Sequence, residues 1–301
     1  MLEEQIRQIV QAVVKQMNDT VAENNQIEAN GLENDKCIPA CEGNVVDEDL
    51  EDFSAIDLQK EILVPHPRDS AALAYYKQTT TARIGVWRCG PRPLTRTLLR
   101  FRADHATAQD AVFQEVNEQF LEKFDLVKVK TLIQDKDQYL TRPDLGRKLP
   151  DEEIAKIKQA CRLKPQVQIV IADGLSSKAI EANLAEILPA LKQGLQAQNL
   201  TSGRDIFVKF GRVDVMDVIG MVLEAEVVVL LVGERPGLGS SESMSAYLVY
   251  KPGPATLVAD HTVISNIHKG GTPPAEAGAH LATVIKTIYD AKASGVKLSL
   301  Q

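Results

Sequence analysis

The chain is poor in aromatic residues: Phe, Trp and Tyr make up 5% of 301 residues, and Trp87 is the single tryptophan. A core must therefore be built mainly from aliphatic side chains. Cysteine is equally scarce. Cys37, Cys41, Cys89 and Cys161 contain no Cys-x-x-Cys pair, and the one Cys-x3-Cys has no second ligand pair. That spacing excludes a disulfide framework and a zinc site, and predicts free thiols in a reducing compartment. No apolar run approaches the length of about 18 residues that a membrane helix needs. The N-terminus lacks the charged start, apolar run and cleavage site of a secretory signal, so synthesis in the cytosol is expected. The G-x-G-x-x-G fingerprint, the G-x-x-x-x-G-K-[ST] phosphate loop and the G-x-S-x-G elbow are all missing. His105, His261, His268 and His280 are scattered without ligand spacing. No metal site is expected. No catalytic triad can be assembled either. His280 reads as a structural histidine on a helix facing the core or its edge, and His268, in a glycine-rich loop, as the better site candidate.

The formal net charge is −7, unevenly spread. Residues 21–59 hold eleven acids against one base, Lys36, which leaves the rest of the chain slightly basic. That balance is far from a nucleic-acid footprint. Residues 1–18 place Leu2, Ile6, Ile9, Val10, Val13 and Met17 at steps of three and four, the pattern of an amphipathic leader helix. Residues 19–59 are too polar and acidic to offset the entropy of ordering and read as a flexible linker. Residues 60–150 read as mainly helical. Helices are expected at Ala71–Lys77 and Ala108–Phe120, and a strand at Leu126–Ile133.

From 151 to 301 strands and helices alternate. Strands are expected at Val167–Ile171, Asp205–Phe210, Val227–Val232, Ala246–Tyr250 and Ala255–Val258. Helices are expected at Asp151–Leu163, Lys178–Gln198, Asp214–Ala225 and Pro274–Ala293. The run Val227–Val232 is apolar at every position, the mark of a strand covered on both faces. The expected fold class is α/β, a Rossmann-like doubly wound parallel sheet preceded by a smaller helical region and a flexible N-terminal extension. In such sheets ligands sit beyond the carboxyl ends of the strands. Three strands end in Asp173-Gly174-Leu175-Ser176, Gly211-Arg212-Val213 and Gly233-Glu234-Arg235-Pro236-Gly237, which would share one rim. Ser176 is placed to cap the next helix. Gly233, Gly237 and Gly239 would allow close backbone approach to something large. A second loop of this kind is expected over 264–274.

Arg83, Arg88, Arg92, Arg96, Arg100 and Arg102 follow one another with no acid between them. Arg92, Arg96 and Arg100 would line one helix face. With Trp87 and Phe101 among them, the cluster has the composition of a protein interface, with a phosphate clamp as the other possibility.

Several of these segments together resemble the small subunit (light chain) of ethanolamine ammonia-lyase. They are Leu140–Arg147 (LTRPDLGR), Asp173–Ser176 (DGLS), Gly233–Gly239 (GERPGLG), Ile264–His268 (ISNIH) and Gly270–Pro274 (GGTPP), with Val64–Arg68 (VPHPR) more loosely. The likeness runs from about residue 60 to the end. It implies a non-catalytic, cofactor-binding subunit of a hetero-oligomeric carbon–nitrogen lyase that converts ethanolamine to acetaldehyde and ammonia with adenosylcobalamin. It implies a large barrel subunit as partner, which holds the substrate and the reacting groups. It implies cobalamin contacts at Val213, Glu234 and Val263, the last where the family can carry a cysteine. The leader is similar to one that places the family's enzyme in a bacterial microcompartment, so contact with the shell through residues 1–18 and a location in the compartment lumen are expected. The Asp-x-His-x-x-Gly cobalamin motif is missing, Asp260-His261 having the wrong spacing, so the cofactor's own benzimidazole is expected to stay on cobalt. Two other readings of the residues stand beside this one. One is a self-contained nucleotide- or phosphate-using enzyme on a Rossmann-like sheet, and the other is a pure interaction protein of a shell or scaffold.

Overall fold

The computed structural model describes residues 52, 57, 60–80 and 82–299, which fall in one compact unit; the expected leader (1–18) and almost all of the expected linker (19–59) lie outside them. The first elements are α1 (Ser70–Gln78) and a minimal antiparallel hairpin of β1 (Arg88–Cys89) and β2 (Arg92–Pro93). The helices α2 (Thr95–Phe113) and α3 (Glu118–Leu121) follow. Asp69 caps α1 by accepting from the Ala72 N–H at 2.9 Å. The helix expected over 108–120 is thus two helices broken at 114–117, and the longer one starts thirteen residues earlier than expected. Only Asp104 and Ala111 of α2 are buried, so this helix carries no apolar stripe for a periodicity reading to find. Arg92 lies in β2, and the expected helix face of Arg92, Arg96 and Arg100 is reduced to its last two members.

The sheet follows: β3 (Leu126–Lys130), α4 (Lys136–Thr141), a 3₁₀ turn at Leu145–Arg147, α5 (Asp151–Ala160), β4 (Val167–Ala172), α6 (Ser177–Ala197) and β5 (Asp205–Lys209). The chain continues with α7 (Val215–Leu223), β6 (Val227–Gly233), β7 (Met244–Tyr250), β8 (Thr262–Ile267), α8 (Pro274–Ala291) and α9 (Val296–Ser299). Six strands stand in the order β3-β5-β4-β6-β7-β8. The first four are parallel, but β7 runs antiparallel to both of its neighbours. The sheet is therefore mixed, not wholly parallel as expected. The short excursions 234–243 and 251–261 let β7 turn back beside β6 without a covering helix between them.

The strand expected at Ala255–Val258 is absent; that stretch ends in a 3₁₀ turn, Val258–Asp260, and the last strand lies just beyond, in what reads as loop. β8 is an edge strand with a half-exposed pattern, so it shows no apolar run. Every residue of β4 and β6 is buried, β6 as its unbroken apolar run requires and β4 with the polar Gln168 included. Alternate side chains divide two cores. Ile169, Ile171, Val229 and Leu231 face α6 and α8. Val170, Ala172, Leu230 and Val232 face α5 and α7. His280 lies on α8 but is exposed, so it is not the structural histidine expected. No helix among the described residues is long and apolar enough to cross a membrane.

Candidate functional site

The helices after β4 and β5, which are neighbours, go to opposite faces of the sheet: α6 to one, α7 to the other. The loops leaving the two strands therefore diverge, and a crevice opens at their carboxyl ends. The β4, β5 and β6 loops do share this rim. A cleft of about 200 Å³ is lined by Gly174 and Leu175, by Gly211 to Val213, by Val232 to Arg235, and by Tyr139, Ser245 and Tyr247.

The loops are tied to one another. Asp173, almost fully buried, accepts from Gly174 N–H at 3.0 Å, from Phe210 N–H at 3.0 Å and from Gly211 N–H at 3.2 Å. Phe210 is held at φ +59, a left-handed backbone rare for a large side chain. The Leu175 N–H donates to Gly233 O at 3.1 Å. A Cβ on Gly174, at φ +60, would stand 2.3 Å from Gly233 O, and one on Gly233 would stand 2.1 Å from Ser176 O. The close approach expected at Gly233 is thus to the chain's own β4 loop, while Gly239 has open space around it. Ser176 caps α6 as expected, accepting from the Ala179 N–H at 3.2 Å. Its hydroxyl donates to Ser241 O, and the Asn183 amide donates to Glu242 O at 2.7 Å. Arg83 reaches Leu238 O at 2.8 Å. The loop 234–243 is thereby held by α6 on one side and by Arg83 on another.

Glu234 is partly buried at the end of β6. Burial pushes its carboxyl upward. Hydrogen bonds from the Ser245 and Ser243 hydroxyls and the Asn266 N–H, with His268 nearby, outweigh that and hold it below the ordinary value. It is an ionised group in a fixed position, able only to accept. Val213 packs on the α7-side core, as does Tyr247. Val263 is the cross-strand partner of Tyr247 and is exposed. Tyr247 lines the cleft, so Val263 extends its wall by one strand. Arg212 lies in the cleft as expected of its loop, whereas Tyr139 is a part of it that the sequence does not reveal. The Arg212 guanidinium lies 4.1 Å from the centre of the Tyr139 ring and donates to Tyr139 O at 2.6 Å. Nothing in the sequence places residue 139 beside residue 212.

His268 is at the same rim. Its Nδ1 accepts from the Gly270 N–H at 3.1 Å and its Nε2 lies 2.8 Å from Asn266 Oδ1. Both ring nitrogens are thus engaged in shaping their own loop. His261 is committed elsewhere, 3.0 Å from Asp217 on α7, and that hydrogen bond, working against burial, raises its pKa. Among the described residues no group of three His, Cys, Asp or Glu stands close enough to hold a metal ion.

The arginine cluster is partly neutralised from within. Arg83 and Arg100 both pair with Asp104, at 2.6 and 2.9 Å, and Arg96 pairs with Glu61 at 2.8 Å. These three are internal clamps, not the open partner contacts expected of the whole cluster. Arg88, Arg92 and Arg102 are exposed, beside exposed Trp87, Leu98 and Phe101.

A sheet covered on both faces, with a crevice where its connections diverge, defines an α/β protein with a candidate ligand site. Its crevice is lined mostly by neutral side chains, with one fixed carboxylate, Glu234, and two arginines, Arg235 and Arg212, the latter stacked on an aromatic ring. Comparison with known proteins gives the particular family. The model of the ethanolamine ammonia-lyase light chain matches residues 70–299. A protein of Listeria monocytogenes named ethanolamine ammonia-lyase small subunit is 46% identical over 306 residues, covering 99% of this chain and all of its own. Proteins of the same name from Clostridium perfringens and Clostridioides difficile are 53% and 52% identical, covering 84% and 83% of this chain and 85% of their own lengths. The chain belongs to the ethanolamine ammonia-lyase light-chain family.

Proposed function

We propose that this chain works as the small subunit of an adenosylcobalamin-dependent ethanolamine ammonia-lyase, forming one wall of the cofactor site, with a large barrel subunit completing it. The observation that carries this reading is the cleft itself: Val213 and Glu234, far apart in sequence, line it together, and Val263 stands one strand beyond its Tyr247 wall. The fit to a corrin can be tested on the residues present. A corrin has a broad apolar plane and a fringe of neutral amides. It calls for flat apolar contact and a few fixed hydrogen-bond partners instead of a cage of charges. Val213, Tyr247 and Val263 supply apolar surface. Glu234, already held by three donors, keeps lone pairs for an amide N–H.

When bound, the cofactor supplies the difficult bond chemistry. This chain's residues bind, orient and exclude water. None of them is assigned as an acid, a base or a radical carrier. Asp260-His261 does not form the motif that would offer a protein histidine to the cofactor, and His261 is engaged with Asp217. Residues 1–18, with their helical apolar spacing, would carry the enzyme to a microcompartment shell and so into its lumen. The test is Glu234→Ala in the assembled enzyme. Apparent affinity for adenosylcobalamin should fall about tenfold, while turnover at saturating cofactor falls much less. A collapse of turnover at unchanged affinity would refute the assignment.

A further inference from the structure

Asp173 is the most deeply buried acid at the rim, yet no face of it reaches the cleft. Its two oxygens accept three backbone N–H groups: one from its own loop (Gly174) and two from the β5 loop (Phe210 and Gly211). Those partners are the backbone that precedes Val213 and the backbone that touches Gly233. From Asp173 the connection runs one way through Gly211 and Arg212 to Val213. The other way it runs through Gly174 and Leu175, whose N–H reaches Gly233 O, to Glu234. A neutral side chain of the same size cannot accept three N–H groups as well as a carboxylate does. The surroundings offset part of the cost of burying this charge, without a direct ion pair. Lys136 stands near it, with its ammonium over the Tyr139 and Phe210 rings, and Arg212 stacks on Tyr139.

We infer that Asp173 is a positioning residue for the cofactor edge: its buried carboxylate staples the β4 and β5 loops together, so that Val213 and Glu234 are presented in one fixed arrangement. The inference rests on the proposed cobalamin role of this edge. It separates a functional staple from simple structural support in one respect. Burial, offset in part by Lys136 and the three N–H groups, pushes the Asp173 carboxyl up to about 6. A folded value above the ordinary 3.8 means that the ionised form costs stability. The contribution of this group to folding is therefore greatest below about pH 4 and is lost as pH rises through about 6. Acidification to about pH 5.5 protonates Asp173 without this group unfolding the protein. It does remove acceptor capacity from the staple, and the loops loosen.

The experiment measures KM for adenosylcobalamin and kcat in the enzyme assembled with its large subunit, from about pH 5.5 to 8. The wild type, Asp173→Asn and Glu234→Ala are compared. In the wild type KM should rise severalfold as pH falls through about 6. In Asp173→Asn it should already be raised about tenfold at pH 8, far more than kcat is lowered, and it should lose that pH dependence. His268, at this rim, is unchanged in both proteins, so the difference between their two profiles reports on Asp173. If Asp173→Asn keeps the wild-type KM and profile while Glu234→Ala weakens binding, the staple is refuted and the cofactor edge stands. If neither substitution affects KM, the reading of the edge itself falls. Should Asp173→Asn fail to assemble, the wild-type profile decides, and a KM constant across that range would overturn the inference.

Discussion

The sheet and the helical region before it are held together by different physics. In the sheet, Ile169, Ile171, Val229 and Leu231 have no exposed surface, and two aliphatic cores fill both faces. In the stretch from α1 to α2, apolar side chains face outward: Tyr75, Tyr76, Trp87, Leu98 and Phe101 are all exposed. Charge ties α2 to its surroundings, through Asp104 on Arg83 and Arg96 on Glu61, while Arg100 on Asp104 supports it from within. A helix of 19 residues that buries only Asp104 and Ala111 gains little from its own fold. One region is sufficient to itself. The other leaves an apolar strip and three arginines exposed, the composition of a protein interface.

The contrast can be broken first in the sheet. Leu231→Ala should cost about 3–4 kcal/mol, as a cavity in a core that cannot collapse around it, read from urea unfolding of the isolated chain. A cost under about 1 kcal/mol would mean that the sheet core is not what sustains this unit. Asp104→Ala comes next. It leaves Arg83 and Arg100 without their shared carboxylate, and partial exposure of those arginines limits the cost to about 1–2 kcal/mol. The visible sign should be faster proteolysis within 83–113 at unchanged protection of the sheet. The smallest effect on folding is expected for Phe101→Ser: under about 0.5 kcal/mol in the isolated chain, because little surface is lost from a core. Co-purification with the large subunit should nonetheless weaken. A large loss of stability with unchanged assembly would show that Phe101 is core and that the strip is not an interface.

The two regions differ in legibility for the same reason. The uninterrupted apolar run of β6 and the helical spacing of α6 announce themselves, because burial on defined faces leaves a period in the sequence. Helix α2 leaves none, so its start at Thr95 was not readable, and Arg92 was placed on a helix that it does not join. β8 was hidden for the matching reason: an edge strand alternates and is short, so Thr262–Ile267 looked like loop. Of the rim, the loops after β4, β5 and β6 were readable from glycine and polar residues following apolar strands. Their companions were not. Tyr139 joins the cleft only because α4 packs against the β5 loop, where its hydroxyl donates to Gly211 O at 3.2 Å.

The sequence alone determined that the chain is α/β, which strands are buried on both faces, and which loops meet at their carboxyl ends. These follow from periodicity and turn chemistry, which are local. The family too was legible there, from motifs in order. Tertiary structure decided what depends on direction and neighbourhood: that β7 runs backward, that Asp173 joins two loops instead of facing a ligand, that Glu234 is ionised by three donors, and that half the arginines are already engaged. Strand direction and the partners of a polar group are set by which segments pack together, and no short stretch of sequence carries that information.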